Sequence, residues 1–385
     1  MNVSSSLSYT SIGKTAVRKC ILVLGMHRSG TSALTRVLSL LGAALPKHLL
    51  PANDFNVAGY WEPEPLVTLH DRMLAEAGSQ WNDWRAFHSA WLGEERREYY
   101  KAEVARIIAE EYGDASLFVI KDPRICRLLP FYQEVLTSLG VDTHYVMTFR
   151  NPLAVAQSLA SRDGIKPPFA DLIWLRHVLD AESGTRDAPR VFVSFERLLA
   201  NWQDVVGAIG KGLGLAWPTP ENVSVEAADI LRPDLRHHAP SFEDLESSAD
   251  TTAWVKDSYR ALLALEKNAG AKSSLTVLHG IRTAFDAFTA AYGDAFFQEL
   301  RAQADKLAKQ QEQLLLRDSE VTRRQIEVDD LRQQLVLRDS DAKRQQIEID
   351  LLRERVALRD AEADHQQSQI ASLFRQIEDF EAKRI

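Results

Sequence analysis

The residues most able to do chemistry lie in one short loop, residues 25–32, which read Gly-Met-His-Arg-Ser-Gly-Thr-Ser. The apolar run 20–24 precedes this loop, and the apolar-periodic segment 33–41 follows it. This order predicts a strand, a glycine-rich turn and a helix, and the positive N-terminal end of a helix favours an anion. The alternative is a plain glycine turn. We interpret the loop as a phosphate site whose binding groups come from Arg28, Ser29, Gly30, Thr31 and Ser32.

The loop departs from the nucleotide-triphosphate loop at one informative position. That loop has the form G-x-x-x-x-G-K-[ST]. Gly25 and Gly30 have the required spacing, but Thr31 stands where the lysine is expected, and the basic residue is Arg28. A kinase or NTPase needs the lysine on the β- and γ-phosphates and a hydroxyl on magnesium. The sequence therefore predicts phosphate binding with different chemistry.

A second candidate phosphate site follows a later apolar run. Residues 143–149 predict a strand, and Arg150, Asn151 and Pro152 follow it and begin a helix that carries Ser158. Ligands of open α/β sheets bind at the carboxyl edge of the strands, where Arg150 is expected. Arg150 and Ser158 could hold a second phosphate. On its own the pair is explained as well by a capping arginine and a buried helix serine.

Taken together, the two motifs resemble those of the sulfotransferases that use 3′-phosphoadenylyl sulfate (PAPS). Residues 28–32 resemble the loop that holds the 5′-phosphosulfate, and Arg150 with Ser158 resembles the 3′-phosphate site. The bacterial branch of that family also carries Gly-Tyr-Trp-Glu and Lys-Asp-Pro-Arg, which stand here at 59–62 and 121–124. The resemblance covers about residues 20–240 and implies a P-loop-type parallel sheet flanked by helices.

The resemblance also implies a reaction. A sulfuryl group would move in line from PAPS to a hydroxyl of a glycan, lipid or other carbohydrate-like acceptor, mainly through positioning and charge stabilisation. No metal is expected. Arg28 would stabilise the developing charge, and Glu62 would act as the base, its pKa raised by burial. Glu62 could equally order its loop.

Other candidates for the site remain open at this stage. Lys121 and Arg124 could bind the sulfuryl group, orient the acceptor or form a structural ion pair at the end of a strand. His70 and Asp71 are weaker candidates for the base and are expected on a helix face. The family's Arg-Lys-Gly loop over the 3′-phosphate is not evident, and its replacement would come from Arg232, Arg236 or His237.

Two functions from other classes compete with sulfuryl transfer. A nucleotide kinase or NTPase would share the loop type, although the loop lysine is absent. A coiled-coil scaffold could bind nucleotide without turnover, which the presence of Arg28, Glu62, Arg150 and Ser158 disfavours.

The elements that must position these residues alternate along the chain. Strands are expected at 19–24, 117–121, 143–149 and 190–194, with helices that include 94–111 and 152–161. Strands separated by helices favour a parallel α/β sheet. We expect a disordered leader at 1–17, the sulfotransferase-like domain at 18–240, a helical connector at 241–298 with helices at 252–267 and 274–292, and a coiled coil at 299–385.

The tail repeats with a period of 21 residues, or three heptads. Leu-Leu-Leu-Arg-Asp-Ser at 314–319 recurs as Leu-Val-Leu-Arg-Asp-Ser at 335–340 and as Val-Ala-Leu-Arg-Asp-Ala at 356–361. One heptad position is apolar throughout, but the position three residues later is apolar only at Leu331, Leu352, Leu373 and Phe380. This pattern predicts a coiled coil that joins copies of the chain or a partner protein. The alternative is a single solvated helix held by ion pairs.

The bulk composition sets further bounds. The chain has 385 residues, is 45% hydrophobic and carries a formal net charge of -8, so no nucleic-acid partner is expected. Its two cysteines predict neither a disulfide framework nor a metal cluster. We expect no secretory signal and no membrane span, and hence a cytoplasmic protein. Trp81, Trp84, Phe87 and Trp91 could stack on sugar rings or pack in the core.

Overall fold

A computed structural model describes residues 17–53, 56, 58–219, 227, 231 and 240–382. The predicted leader therefore lies outside the described residues apart from its last position, and so do Arg232, Arg236 and His237. The strands are β1 (Lys19–Leu24), β2 (Leu117–Lys121), β3 (Asp142–Phe149) and β4 (Arg190–Ser194). The helices up to β4 are α1 (Thr31–Leu40), α2 (Glu64–Glu76), α3 (Glu94–Tyr112), α4 (Ile125–Ser138), α5 (Pro152–Asp163) and α6 (Pro167–Gly184).

The helices after β4 are α7 (Phe195–Ala200), α8 (Trp202–Leu213), α9 (Phe242–Ser247), α10 (Ala253–Lys267) and α11 (Lys272–Ala382). A short 3-10 helix, Ser89–Leu92, precedes α3. The described residues up to Gln298 form one compact unit, and those from Glu299 onward form a second.

The four strands form a parallel sheet in the order β2-β1-β3-β4. Strand β1 is therefore paired on both sides, with β2 on one side and β3 on the other, and the edge strands are β2 and β4. The order along the sheet reverses at β1, and the crevice above the carboxyl ends of β1 and β3 is the place where such sheets bind ligands. The loops after these two strands carry the two predicted phosphate motifs.

Helices cover both faces of the sheet because the strands are apolar on both faces. Cys20, Leu22 and Leu24 point into the larger core, which they share with α2 to α6 and α10. Ile21 and Val23 point into the second core, which they share with α1 and α8. Met26 of the loop after β1 is itself part of the larger core, so the core packing helps to fix this loop.

The predicted fold class is confirmed: the sheet is parallel and flanked by helices, and a long helix ends the described chain. Three predicted strands have the observed bounds, and β3 begins one residue earlier than expected. The helix expected at 274–292 is part of α11, which continues through the tail without a break. In the tail, the described apolar side chains of the heptad positions are exposed. Among the described helices, none has a stretch long and apolar enough to cross a bilayer.

Candidate functional site

The loop between β1 and α1 has the close-packed backbone that a phosphate cradle needs. A Cβ on Gly25 would lie 2.3 Å from the Thr148 carbonyl oxygen of β3, so only glycine lets the loop approach the neighbouring strand. Gly30 has φ 85° and begins α1 without a side chain that bonds the first-turn N–H groups. Gly30 has no side chain with which to cap this turn, and the N–H groups of such a helix N-terminus can bind an anion.

Arg28 is turned toward the second motif. It is one of the few described non-glycine residues with positive φ, at 69°, a conformation that costs free energy and is often retained at functional sites. Its Nε donates to Ser158 Oγ at 2.8 Å, across 130 residues of sequence. Arg150 Nη1 donates to the Arg28 carbonyl oxygen at 3.3 Å, and the Arg150 guanidinium lies 5.0 Å from the centre of the Phe195 ring. The two predicted phosphate motifs therefore form one cluster, which we call the arginine side.

Glu62 and Lys121 form a buried ion pair on the opposite side of the loop. Lys121 Nζ lies 2.5 Å from Glu62 Oε1 and 3.2 Å from Ser32 Oγ. The side chain of Lys121 is 1% exposed and that of Glu62 is 4% exposed. Lys121 ends β2, while Glu62 precedes α2 in a loop that receives a hydrogen bond from Ser32 Oγ to the Tyr60 carbonyl. Sequence reasoning named both residues but did not predict that they pair. We call this pair, with Ser32, the ion-pair side.

A buried network fixes the segment that follows Lys121. Asp122 accepts a hydrogen bond from Arg124 and lies 2.7 Å from His70 Nδ1, and His70 Nε2 lies 2.5 Å from the Tyr132 hydroxyl. Arg124 also pairs with Asp71. His70 lies on α2, as expected, and on the buried face of that helix. Asp122 and Tyr132 satisfy both of its ring nitrogens inside the core.

Both sides border one cleft. Its lining includes seven of the predicted site residues or their backbone: Arg28, Gly30, Thr31, Ser32, Glu62, Lys121 and Arg150. Ser29, although part of the loop, is buried, and its carbonyl oxygen accepts a hydrogen bond from Thr148 Oγ1. Ser158 reaches the cleft through its bond to Arg28.

Two residues that sequence reasoning missed also line this cleft. Arg162 lies four residues after Ser158 on α5, so it shares a helix face with that serine, and this spacing was the available signal. Its guanidinium lies 5.6 Å from the Trp81 ring centre. His27 lies in the loop itself, and its ring packs edge-to-face with that of Trp81, with 4.7 Å between the two ring centres. Burial, followed by the charge of Arg124, lowers the pKa of His27 well below its usual value, so its imidazole is neutral at neutral pH.

Burial shifts the pKa values of the two sides in opposite directions because it disfavours the charged form of each group. It lowers the pKa of Arg28, and the nearby charge of Arg162 adds to that fall. Burial raises the pKa of Glu62, and the charge of Lys121 opposes that rise. The lining of the cleft thus combines the cations Arg28, Arg150, Arg162 and Lys121 with the carboxyl group of Glu62.

The predicted aromatic cluster is divided by the structure. Trp84 is buried and stacks on Phe288, and Trp81 packs against His27. Phe87 and Trp91 line a second cleft of about 560 Å³, whose other walls come from α4, α6 and residues 282–294 of α11. The four rings do not form one platform.

No group of three or more potential metal-ligating side chains occurs within the described residues. Ser32, whose hydroxyl would ligate magnesium in a nucleotide-triphosphate loop, instead has the Lys121 ammonium at 3.2 Å. A cation at that distance opposes a second cation on the same oxygen.

The fold and the cleft define an α/β protein with a glycine-rich anion loop after its first strand and a second cationic motif after its third. The sequence profile of the sulfotransferase family matches residues 20–219. The chain belongs to the sulfotransferase family, and so to the enzymes that transfer sulfuryl groups.

Several solved structures are similar to this chain. The sulfotransferase domain of the olefin synthase of Synechococcus PCC 7002 has 18% identity and a TM-score of 0.35, over 60% of this chain and 87% of that one. Sulfotransferase STF1 of Mycobacterium tuberculosis H37Rv has 17% identity and a TM-score of 0.33, over 61% and 75%. A retinol dehydratase, solved with androsterone and the inactive cofactor PAP, has 12% identity and a TM-score of 0.27, over 69% and 80%. No curated protein sequence matches the chain significantly.

Proposed function

We propose that the chain transfers a sulfuryl group from PAPS to a hydroxyl-bearing acceptor. One observation carries the proposal: Arg28 Nε of the loop donates a hydrogen bond to Ser158 Oγ of the second motif at 2.8 Å. This contact joins the two motifs at the point of the sheet where the strand order reverses. A nucleotide donor with phosphates on its 3′ and 5′ oxygens could place one phosphate in the anion loop and the other at the adjacent cationic motif.

The arginine side binds the donor in this proposal. The backbone N–H groups of residues 30–32 and the Arg28 guanidinium hold the 5′-phosphosulfate, and Arg150 with Ser158 holds the 3′-phosphate. Arg28 bridges the two phosphates because it already bonds Ser158. Its fixed charge also offsets the negative charge that develops on the phosphate oxygen as the bond to sulfur breaks.

The ion-pair side serves the acceptor. The acceptor oxygen bonds to sulfur, the bond from sulfur to the phosphate oxygen breaks, and the hydroxyl proton passes to Glu62, leaving a sulfated product and 3′,5′-ADP. A buried carboxylate with a raised pKa is a stronger base than an exposed one. Lys121 holds Glu62 in place and, through Ser32, ties the base to the anion loop.

A nucleotide kinase or NTPase is the runner-up. The lysine missing from the loop is replaced in space by Lys121, which comes from β2. That lysine, however, stands at the hydroxyl where magnesium would bind. Asp122 is the carboxylate that follows the same strand, and it is occupied by Arg124 and His70. These contacts favour a donor that does not need magnesium at Ser32.

A glycan is the acceptor class we propose to examine first. Trp61, whose φ is 58°, and Tyr60 line the cleft beside Glu62, and aromatic rings stack on the apolar faces of sugars. Residues 299–385 we assign to assembly as a coiled coil.

The test uses the full chain. We expect 3′,5′-ADP to raise Tm by several degrees and ATP with magnesium to leave it unchanged; the reverse result would favour the kinase. Transfer of label from [35S]PAPS to a panel of glycans, lipids and small alcohols then tests turnover. Binding of 3′,5′-ADP without transfer to any acceptor would favour the scaffold.

A further inference from the structure

The seam of the tail has the residue types of a two-stranded coiled coil. In heptad letters, with Leu314 at a, the leucines Leu331, Leu352 and Leu373 occupy d. Each follows a β-branched residue at the preceding a position, and this combination favours two strands over three or four. The a positions from 321 onward are Val321, Val328, Leu335, Ala342, Ile349, Val356, Ala363, Ile370 and Ile377.

The g positions determine the direction of pairing. Most of the charged residues at g are acidic: Glu299, Glu320, Glu327, Asp341, Glu348 and Glu362. In an antiparallel pair, the g positions of one helix face the g positions of the other, so these carboxylates would repel each other. In a parallel pair, g faces the partner's e position five residues later. The tail sequence therefore disfavours antiparallel pairing.

The e positions determine the register. In an aligned parallel pair, Glu327 faces Arg332 of the second copy, Glu348 faces Arg353, and Arg355 faces Asp360. No g–e pair of the aligned copies joins like charges between 299 and 381. If one copy is shifted by one heptad, Glu327 of one helix faces Asp339 of the other on one flank of the seam. On the other flank, Arg355 faces Arg353, so both pairs join like charges. The charges at g and e therefore attract each other in the aligned pair and repel each other at these positions after a one-heptad shift, which favours the aligned register.

The polar d positions add to this preference. Arg317, Arg338 and Arg359 occupy d, and each is followed by an aspartate at e. A d side chain enters a hole bordered by the partner's d and e residues. In the aligned parallel pair, each of these arginines therefore has an aspartate of the other copy beside it. A shift of one or two heptads removes these pairs, and a shift of 21 residues restores most of them.

We infer that the tails of two copies of this chain pair in parallel and in register. The described a and d apolar side chains are exposed in the single chain, with Val328 42%, Ile349 44% and Leu352 50% exposed, and the second copy covers them. Leu316, Leu337 and Leu358 occupy c, outside this seam. The inference rests on the assembly role proposed above for the tail.

Cysteine cross-linking tests the direction and the register. Leu331→Cys, Leu352→Cys and Leu373→Cys are made one at a time in the full chain, and each is oxidised. Aligned parallel copies bring identical d residues within disulfide distance, so all three variants form covalent dimers. An antiparallel pair has one crossing point and links at most one variant. That outcome would overturn the inference.

Two controls sharpen the cross-linking result. Ser319→Cys and Ser340→Cys lie at f, on the outer face, and do not link in the aligned pair. The native Cys20 and Cys126 are buried, so the unsubstituted chain does not link. Mixing Leu331→Cys with Leu352→Cys tests the 21-residue shift: a mixed disulfide that exceeds the self-linked products would contradict the aligned register.

Light scattering separates failure of the assembly role from failure of the register. The inference predicts the mass of two chains. The mass of one chain would contradict the coiled coil itself, and the mass of three or more would contradict the two-stranded pairing.

Charge reversal tests the assigned g–e pairs. Glu327→Arg should weaken dimerisation about tenfold, and adding Arg332→Glu should restore it. Equal dimer affinities of the single and double variants would contradict the assigned pairs.

Discussion

The arginine side and the ion-pair side of the cleft both contain a cation, but they hold it in different ways. On the ion-pair side, Lys121 and Glu62 are almost fully buried and bonded to each other. On the arginine side, Arg28, Arg150 and Ser158 are only partly buried, and their side chains meet at the cleft. A buried pair fixes geometry, whereas partly exposed cations can receive a ligand. Substitutions on the two sides should therefore separate folding stability from donor binding.

The largest expected effect lies on the ion-pair side. Lys121→Met leaves the Glu62 carboxylate buried without its cation and should lower the free energy of unfolding by about 3–5 kcal/mol. Adding Glu62→Met should recover most of that loss. Lys101→Met, which removes the surface ion pairs with Glu98 and Glu134, is the control and should cost less than about 1 kcal/mol. Urea unfolding measures all three. A loss for Lys121→Met no larger than the control would show that the buried pair does not fix this side.

The next effect lies on the arginine side and concerns transfer. Arg28→Ala should lower kcat/KM for transfer from PAPS by about 10²–10³, because a preorganised charge is lost where negative charge develops. Its Tm should change little. Arg106→Ala, which removes an exposed arginine on α3, is the matched control and should retain activity. Unfolding of Arg28→Ala comparable to that of Lys121→Met would erase the distinction between the two sides.

Donor binding should respond to Arg150. Arg150→Ala should weaken the binding of 3′,5′-ADP about tenfold to a hundredfold, since a charged hydrogen-bond donor contributes about 1.5–3 kcal/mol. Calorimetric titration measures this change, and the Arg106→Ala variant again serves as the reference. An unchanged Kd would remove Arg150 from the 3′-phosphate site.

The smallest expected effect is a pH dependence. Burial raises the pKa of Glu62 above its value in the unfolded chain, so the folded state binds its proton more tightly. The stability linked to this proton is present at low pH and is lost as pH rises through the folded-state pKa. The loss caused by Lys121→Met should therefore be smaller at pH 5 than at pH 8. A loss that grows on acidification would contradict the sign.

Local patterns explain what could be predicted of the fold. The strands are short apolar runs bounded by turn residues, and the glycines at 25 and 30 mark the loop, so the bounds of β1, β2 and β4 follow from neighbouring residues alone. The tail helix follows from heptad periodicity in the same way. Arg150 could be placed near the loop because parallel strands present their carboxyl ends at one edge.

Long-range packing explains what could not be predicted. Nothing in the spacing of Glu62 and Lys121, which are 59 residues apart, indicates that their side chains meet. His70 has the pattern of a helix-face residue, but Asp122 and Tyr132 bury it. The aromatic residues 81–91 are close in sequence, yet two of them turn toward the second cleft. In each case the outcome depends on partners that lie on other elements.

If the arginine side recognises a nucleotide with phosphates on both the 3′ and the 5′ oxygen of its ribose, removal of the 3′-phosphate must weaken binding. Calorimetric titration of the full chain with 3′,5′-ADP and with 5′-AMP measures this difference. We expect 3′,5′-ADP to bind at least about tenfold more tightly, because only it can occupy both motifs. Equal affinities for the two nucleotides would show that the second motif does not bind the 3′-phosphate.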